Sequence, residues 1–207
     1  LIPFNAGIMA PSKLGIKDMS GVKGKRVPRF PANSLGDYII RSSLATAGLT
    51  YDDVVSVPMA NFPAQFQGFK DGTIDVTIAT VGSQVTFDFD TTLGGVTFLN
   101  YKPGDEKILD EELPGTSLKP VGDYKVPGVD QDTVVFAYDY TLFANKAVPN
   151  EVVAKVARAL HEGTASLKES GPIWTEYDPA TIGKAGVLEY HPGAVEFYKS
   201  AGIWSGN

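Results

Sequence analysis

The sequence predicts an α/β fold in which a mostly parallel sheet is flanked by helices. Between residues 25 and 101, short apolar stretches of strand length alternate with stretches of helical periodicity. Gly, Asn, Asp and Pro residues separate these stretches, as expected of turns. Strands and helices that alternate at this spacing are typical of parallel strands joined by right-handed crossovers.

The first strand and helix of this pattern have clear boundaries. Residues 25 to 30 lie between a glycine and a proline, which predicts a short strand. Asn33 or Ser34 is suited to cap the N-terminus of a helix over residues 35 to 47. Gly48 is suited to end that helix, because glycine adopts the left-handed conformation of a C-cap.

Further strands and helices follow in the same alternation. The predicted strands cover residues 54 to 59, 74 to 79 and 96 to 101, and helices are expected over residues 61 to 70 and after a turn at 80 to 83. In open parallel sheets, ligands bind outside the carboxyl ends of the strands. The loops that follow the first three strands are therefore the expected ligand-binding loops.

The chain is expected to divide into three parts. Residues 1 to 21 are rich in Gly, Pro and Ser, which indicates a linker or the edge of a lobe. Residues 22 to 130 are predicted to form an α/β ligand-binding lobe that ends in a polar, proline-rich loop region. Residues 131 to 207 are predicted to return toward the first lobe through a crossover strand over residues 133 to 144, a helix over 152 to 167 and a short helix over 193 to 200.

Composition excludes several classes of protein. Of 207 residues, 43% are hydrophobic and 20% are charged, the formal net charge is -6, and cysteine is absent. Nucleic acid is not an expected partner, because phosphate binding needs a basic face. No apolar run approaches the ~20 residues of a membrane-spanning helix, so no direct membrane insertion is expected. Because the chain begins with Leu1 instead of Met, we expect a processed or truncated product.

Few residues point to an enzyme. We expect structural roles for His161, at the end of a predicted helix, and His191, in a turn. The segment Asp88-Phe-Asp90-Thr-Thr92 resembles the Asp-x-Asp-x-Thr signature of haloacid-dehalogenase-type phosphotransferases. That resemblance implies a magnesium-dependent phosphohydrolase in which Asp88 is the nucleophile and Asp90 handles protons. A solvated acidic turn explains the same residues, so we predict no catalytic residue, metal ligand or cofactor.

The loop after the first strand is the main candidate for ligand binding. Asn33 and Ser34 lie at a helix start, where free backbone N–H groups and the positive end of the helix dipole bind carboxylates and phosphates. A plain N-cap explains the same two residues and is the favoured interpretation on local sequence alone. Arg29 is suited either to pair with a ligand carboxylate or to lie exposed at the end of a strand.

The second and third loops are predicted to complete the site. Asn61 and Gln65 are suited to hydrogen-bond a ligand. Phe62 either forms an apolar wall of the site or belongs to the core face of its helix. The segment Thr80-Val81-Gly82 brings backbone groups to the same cleft.

Four segments of the chain occur in the order found in a known family. They are Gly24-Lys-Arg-Val27, Ala47-Gly-Leu-Thr-Tyr-Asp-Asp-Val54, Phe69-Lys-Asp-Gly-Thr-Ile-Asp-Val76, and His191-Pro-Gly-Ala-Val-Glu-Phe-Tyr198 with Gly202-Ile-Trp204. Over about residues 15 to 204, the chain resembles the TAXI group of solute receptors, which serve tripartite ATP-independent periplasmic (TRAP) transporters. No single segment is specific, but their common order makes the resemblance fairly specific.

The resemblance implies a type II periplasmic-binding-protein fold with two α/β lobes around a cleft. It implies a periplasmic receptor, not an enzyme, that binds a small organic anion such as an amino acid or a dicarboxylate. The receptor would present its ligand to the membrane permease subunits of a sodium-driven TRAP transporter. A ligand-sensing domain on the same fold is a further alternative.

The sequence departs from this family in two respects. Members of the family begin with roughly a hundred further residues, so we expect the chain to lack part of the N-terminal lobe. Their ligand loop has glycines where Asn33 and Leu35 stand here, while Ser34 matches the family serine. The side chain of Leu35 adds bulk at the expected ligand contacts, so we expect a ligand different from that of better-known members.

Overall fold

The computed structural model describes residues 2 to 184 and 188 to 206. These residues form two compact units, a larger one over Phe4–Tyr138 and a smaller one made of the residues up to Pro3 and from Asp139 onward. The strands are β1 (Pro3–Pro11), β2 (Arg26–Arg29), β3 (Val55–Pro58), β4 (Thr77–Thr80), β5 (Val96–Phe98), β6 (Ser117–Pro120) and β7 (Val134–Asp139). The helices are α1 (Leu35–Thr46), α2 (Phe62–Lys70), α3 (Gln84–Leu93), α4 (Asp105–Glu112), α5 (Asn150–Glu162), α6 (Thr164–Glu169) and α7 (Pro192–Ser200).

The α/β class is confirmed, but the prediction of a mostly parallel sheet is wrong for the larger of two sheets. Strands β4, β1, β7 and β6 are neighbours in that order, and β5 also pairs with β1. The pairs β1–β4, β1–β5 and β6–β7 are antiparallel, with Ala6 opposite Thr80 in the first of them. The pair β2–β3 forms a separate two-stranded sheet and is parallel, as predicted.

Strand β1 explains why the predicted topology fails. It lies within residues 1 to 21, whose content of Gly, Pro and Ser indicated a linker, yet most of its residues are buried. It inserts between β4 and β7, so β4 pairs with it and not with β2. One backbone hydrogen bond connects the small sheet to the segment before β4. In it, the N–H of Asp75 donates to the carbonyl oxygen of Arg26 at 2.8 Å.

Most other predicted elements of the larger unit are confirmed. Helix α1 presents Ile39, Ile40 and Leu44 to the core, as its periodicity indicates. Helices α2 and α3 pack through aromatic side chains, with the rings of Phe69 and Phe89 in an edge-to-face contact at 4.8 Å. The sequence pattern missed β6, which lies in the region predicted to be mostly loop.

The smaller unit has its own core and two boundaries that differ from prediction. Strand β7 ends at Asp139, so the predicted strand over residues 133 to 144 is too long, and Phe143 is 86% exposed. Helix α5 ends at Glu162 and α6 begins at Thr164, so the predicted continuous helix over residues 152 to 167 is wrong at Gly163. A Cβ atom on that glycine would lie 2.6 Å from the carbonyl oxygen of Ala159.

Both histidines lie in the smaller unit and have structural roles. His161 is in the last turn of α5, and its ring contacts that of Phe197 at 5.7 Å. His191 is the N-cap of α7, where its Nδ1 atom accepts the backbone N–H of Gly193 at 3.2 Å. The prediction that His191 orients this turn is confirmed.

Candidate ligand-binding site

Three helices of the larger unit begin directly after strands. Helices α1, α2 and α3 follow β2, β3 and β4, and in each helix the N-cap side chain accepts the backbone N–H of the third helical residue. The N-cap residues, their donors and the distances are Ser34 and Asp37 at 3.4 Å, Asn61 and Ala64 at 2.9 Å, and Ser83 and Thr86 at 3.4 Å. In each loop, the last residue before the helix therefore caps the N-terminus of that helix with its own side chain.

The starts of α1 and α2 lie side by side. Strands β2 and β3 run parallel with Arg29 opposite Pro58, so the two strands end at the same level. The residue after β2 is Phe30, and its ring contacts that of Phe62, the first residue of α2, at 5.1 Å. Phe62 is partly buried and packs against the core, as the core alternative predicted, while its role as a wall of a ligand site stays a prediction.

The start of α3 is held near that of α2 by hydrogen bonds to β4. Gln65 in α2 donates from Nε2 to the carbonyl oxygen of Ile78 at 3.2 Å, and its Oε1 accepts the N–H of Ile78 at 3.3 Å. Two residues further on, the carbonyl oxygen of Thr80 accepts the hydroxyl of Thr86 at 2.7 Å. Gln65 is fully buried and bonded at both ends of its amide, so its predicted role as a ligand-binding residue is wrong.

Five backbone N–H groups at these helix starts have no acceptor among residues 2 to 184 and 188 to 206. They belong to the first two residues of α1 and α3 and to the first residue of α2, namely Leu35, Gly36, Gln84, Val85 and Phe62. An α-helix leaves its first N–H groups unpaired, and the macrodipole adds about half a positive charge at that end. The arrangement can therefore hold an anion through backbone donors alone.

In the loop after β2, one of the three residues expected at the ligand, Leu35, keeps a free N–H group. The N–H of Asn33 donates to Asp37 Oδ2 at 3.2 Å, and the N–H of Ser34 donates to the carbonyl oxygen of Pro31 at 3.2 Å. Both predicted donors are therefore occupied within the protein. Leu35 is 47% exposed and contributes its N–H together with an apolar side chain.

Arg29 lies close to this loop but is engaged with a tyrosine. Its guanidinium group stands 4.7 Å from the centre of the Tyr51 ring, which is a cation–π arrangement. The hydroxyl of Tyr51 donates to Asp37 Oδ1 at 3.2 Å. Burial and the neighbouring Asp37 carboxylate raise the pKa of Tyr51, so the phenol stays protonated and remains a donor.

In the third loop, two of the three predicted residues, Thr80 and Val81, are bonded within the protein. Val81 is buried and its N–H donates to the carbonyl oxygen of Asn5 at 2.9 Å, while Thr80 uses its carbonyl group as described. Gly82 has a φ of 71°, which allows the chain to turn from β4 into α3. The sequence analysis missed Ser83, although a serine before an amphipathic stretch is the same capping signal that identified Ser34.

The acidic residues of the phosphotransferase-like motif lie on α3 and not on an extended segment. Asp88 pairs with Lys70, whose Nζ atom is 2.9 Å from Oδ2, and Asp90 Oδ1 accepts the N–H of Val96 at 3.2 Å. Residues two positions apart on a helix are separated by about 200°. The two carboxylates therefore do not share a face, and the described part of the chain has no cluster of three His, Cys, Asp or Glu side chains suited to a metal ion.

Fold and site together define an α/β protein with a candidate anion-binding edge built from backbone donors. The profile of the NMT1-like family matches residues 4–202, nearly the whole chain. The chain belongs to the NMT1-like family. In the part of the chain that the structure describes, no helix has the length and hydropathy needed to span a membrane.

Solved structures of binding proteins resemble parts of the chain. The alkanesulfonate-binding protein SsuA from Xanthomonas axonopodis pv. citri, bound to MOPS, is 16% identical with a TM-score of 0.43, covering 82% of this chain and 50% of that chain. The periplasmic aliphatic sulphonate-binding protein SsuA from Escherichia coli is also 16% identical with a TM-score of 0.43, covering 82% of this chain and 47% of that chain. An ancestral arginine-binding protein bound to arginine is 15% identical with a TM-score of 0.42, covering 86% of this chain and 61% of that chain. The chain thus spans about half the length of the two SsuA proteins.

Proposed function

We propose that this chain is the ligand-binding part of a solute receptor that captures a small organic anion. The observation that carries the proposal is the group of five N–H donors, free of acceptors in the described residues, at three neighbouring helix starts. Such donors bind a carboxylate or a sulfonate without any catalytic group, since they supply hydrogen bonds and a positive dipole end. Capture without chemical change is the function that these groups can perform.

The side chains around the donors favour an anion with an organic part. Leu35 exposes an apolar side chain at the start of α1, and Phe62 is partly buried at the start of α2. Ligand sites commonly combine such apolar walls with a few placed polar groups. An amino acid or a dicarboxylate meets both requirements, and an alkanesulfonate has the same combination of anionic head and apolar tail.

We further propose that the receptor acts in the periplasm and delivers its ligand to the permease subunits of a TRAP-type transporter. This proposal is supported by the four ordered segments that resemble TAXI receptors, in particular the segment from Phe69 to Val76 and the one from His191 to Tyr198. Membership of the NMT1-like family is compatible with it. Pull-down of the permease subunits encoded beside the receptor would test the partner independently of the ligand.

A thermal-shift panel tests anion capture directly. Amino acids, dicarboxylates, keto acids and alkanesulfonates are added with and without magnesium, and hits are measured by isothermal titration calorimetry. A ligand that binds only the native state adds about 2.7 kcal/mol of stability at a hundredfold excess over its dissociation constant. We expect a saturable, magnesium-independent shift with at least one carboxylate or sulfonate, whereas no shift with any of them, or magnesium-dependent hydrolysis of a phosphate ester, would contradict the proposal.

A further inference from the structure

Asp37 is a buried carboxylate beneath the loop that opens α1. Its side chain is only 8% exposed, and it lies in the first turn of the helix. Oδ2 accepts the backbone N–H of Asn33 and the Nε–H of Arg41, both at 3.2 Å, and Oδ1 accepts the hydroxyl of Tyr51 at 3.2 Å. A carboxylate with three donors is well satisfied, so it holds its partners in defined positions.

Asn33 needs such a partner because of its backbone conformation. Its φ is 63°, and it is the one non-glycine residue with positive φ in the described ranges. The left-handed conformation costs most residues about 1–2 kcal/mol, although Asn adopts it more readily than others. The bond from Asn33 to Asp37 compensates for this cost and turns the N–H of Asn33 toward the protein.

The partners of Asp37 are themselves fixed by other elements of the larger unit. Arg41 forms two further bonds to the carboxylate of Glu112 in α4, at 2.7 and 2.9 Å. Tyr51 carries the guanidinium group of Arg29 over its ring. The conformation of the loop therefore depends on contacts from α4, from the 3-10 turn at Tyr51–Asp53 and from the end of β2.

We propose that Asp37 is the positioning residue of the anion site at α1. By accepting the N–H of Asn33, it fixes the loop in the one conformation that leaves the N–H groups of Leu35 and Gly36 for a ligand. Arg41 is shared by Asp37, at 3.2 Å, and Glu112, and Arg29 lies over the Tyr51 ring. The two carboxylates and the two guanidinium groups sum to zero net charge, which limits repulsion of an anion at the helix start. The inference rests on the proposed function and identifies the residue on which its binding loop depends.

The test uses the whole chain, labelled with ¹⁵N, and L-glutamate and sulfate as probes. In the unmodified protein we expect saturable shifts of the Leu35 and Gly36 amide resonances. Asp37→Ala is expected to weaken binding by about tenfold or more, because the loop loses its defined conformation. Asp37→Asn keeps the volume and one acceptor, and serves in place of Asp37→Ala should the latter not fold.

A second substitution separates positioning from general stability. Glycine adopts positive φ without a partner, so Asn33→Gly added to the Asp37 variant should recover about half or more of the lost affinity on a logarithmic scale. The matched control is Asp18→Ala, because Asp18 also accepts a backbone N–H, that of Ser20 at 2.9 Å, and pairs with Lys102 at 3.1 Å. We expect the control to bind the probes as the unmodified protein does.

The outcomes distinguish this inference from the proposed function. Unchanged affinity in the folded Asp37 variants, or weakened affinity that Asn33→Gly does not restore, overturns the positioning role. If neither probe nor any member of the ligand panel binds the unmodified protein, the proposed function fails. Amide hydrogen exchange then decides the role of Asp37: faster exchange at Asn33 alone in the variant supports it, and unchanged exchange there overturns it.

Discussion

The α-carbon of Gly36 lies against the ring of Phe30, so closely that a Cβ atom would stand 2.6 Å from two of the ring carbons. The same ring contacts Phe62 at the start of α2. One aromatic side chain thus sets the spacing between two helix starts, and glycine is required at position 36 by the lack of space. The N–H of this glycine is one of the free donors, so a change in packing here also affects a proposed ligand-binding group.

Gly36→Ala is expected to destabilise the protein and to weaken anion binding. Overpacking forces neighbouring atoms to shift at a cost of about 1–3 kcal/mol, which urea unfolding measures. The control is Gly68→Ala near the end of α2, where a Cβ atom would stand 2.9 Å from the Thr73 hydroxyl and 3.0 Å from the Met59 methyl group. This variant should lose stability without losing anion binding. Equal stability of Gly36→Ala and the unmodified protein would show that the Phe30 ring moves freely and does not set the spacing.

Proline at the first helical position tests the free donors one at a time. Leu35→Pro and Gln84→Pro each remove one N–H, and both follow an extended N-cap residue, Ser34 or Ser83, which proline tolerates. A hydrogen bond to a charged group contributes about 1.5–3 kcal/mol, so affinity for the anion found in the panel should fall by more than tenfold.

Two controls accompany the proline variants. Leu35→Ala removes the side chain and keeps the N–H. Asn150→Pro makes the same backbone change at the start of α5, where the N-cap Pro149 is also extended. Calorimetry should show full binding by Asn150→Pro, and equal losses in all three proline variants would mean that the donors at α1 and α3 have no special part in binding.

Gln65→Leu is expected to be strongly destabilising. It removes both hydrogen bonds between the Gln65 amide and the Ile78 backbone. The buried N–H is left without an acceptor, at a cost of about 1–3 kcal/mol, and the carbonyl oxygen keeps only a long bond from the Thr77 hydroxyl at 3.4 Å. Gln67→Leu on the exposed side of α2 loses only a bond to Asp71 and should change the free energy of unfolding by less than about 0.5 kcal/mol. Similar urea midpoints for the two variants would contradict the structural role of Gln65.

Asp75 should make stability depend on acid pH. Burial by itself would raise its pKa, but hydrogen bonds from the Arg26 side chain and backbone N–H, the latter at 2.8 Å, together with the Arg26 charge, lower that pKa below 3.8. A depressed native pKa stabilises the fold above pH 3.8, and this stabilisation is lost as the pH falls through the native pKa.

The variant Asp75→Asn provides the comparison for this pH dependence. It should be less stable than the unmodified protein at neutral pH, and the difference should shrink as the pH falls below 3.8 and the Asp75 carboxylate becomes protonated. Urea unfolding across this range measures the effect. A difference that stays constant with pH would mean that the Asp75 charge does not stabilise the fold.

Local signals account for much of the larger unit. Helix α1 was predictable because all of its signals lie within one short stretch of sequence. These are the N-cap residue Ser34, the buried Ile39 and Leu44, and Gly48 just after the helix. Strand β1 was not, because its Gly and Pro residues are typical of turns, while its burial arises from β4, β5 and β7, which are distant in sequence.

The candidate site likewise has features that were predictable from the sequence and features that were not. Its position at the helix starts was predictable, since Ser34 and Asn61 are capping residues that follow strands. The bonding of the predicted donors was not, because the N–H of Asn33 donates to Asp37, and that of Val81 donates to Asn5, 76 residues earlier in the chain. A sequence pattern cannot show which polar groups are already bonded.

By itself, the sequence determined that the chain alternates strands with capped helices and places polar turns at strand ends, because capping and periodicity act over three to five residues. Only the tertiary structure decided that β1 makes the larger sheet antiparallel, that Gln65 is bonded to Ile78, and that the N–H of Val81 is bonded to Asn5. These outcomes join residues far apart in the chain, and each depends on the distance and orientation at which packing brings them together.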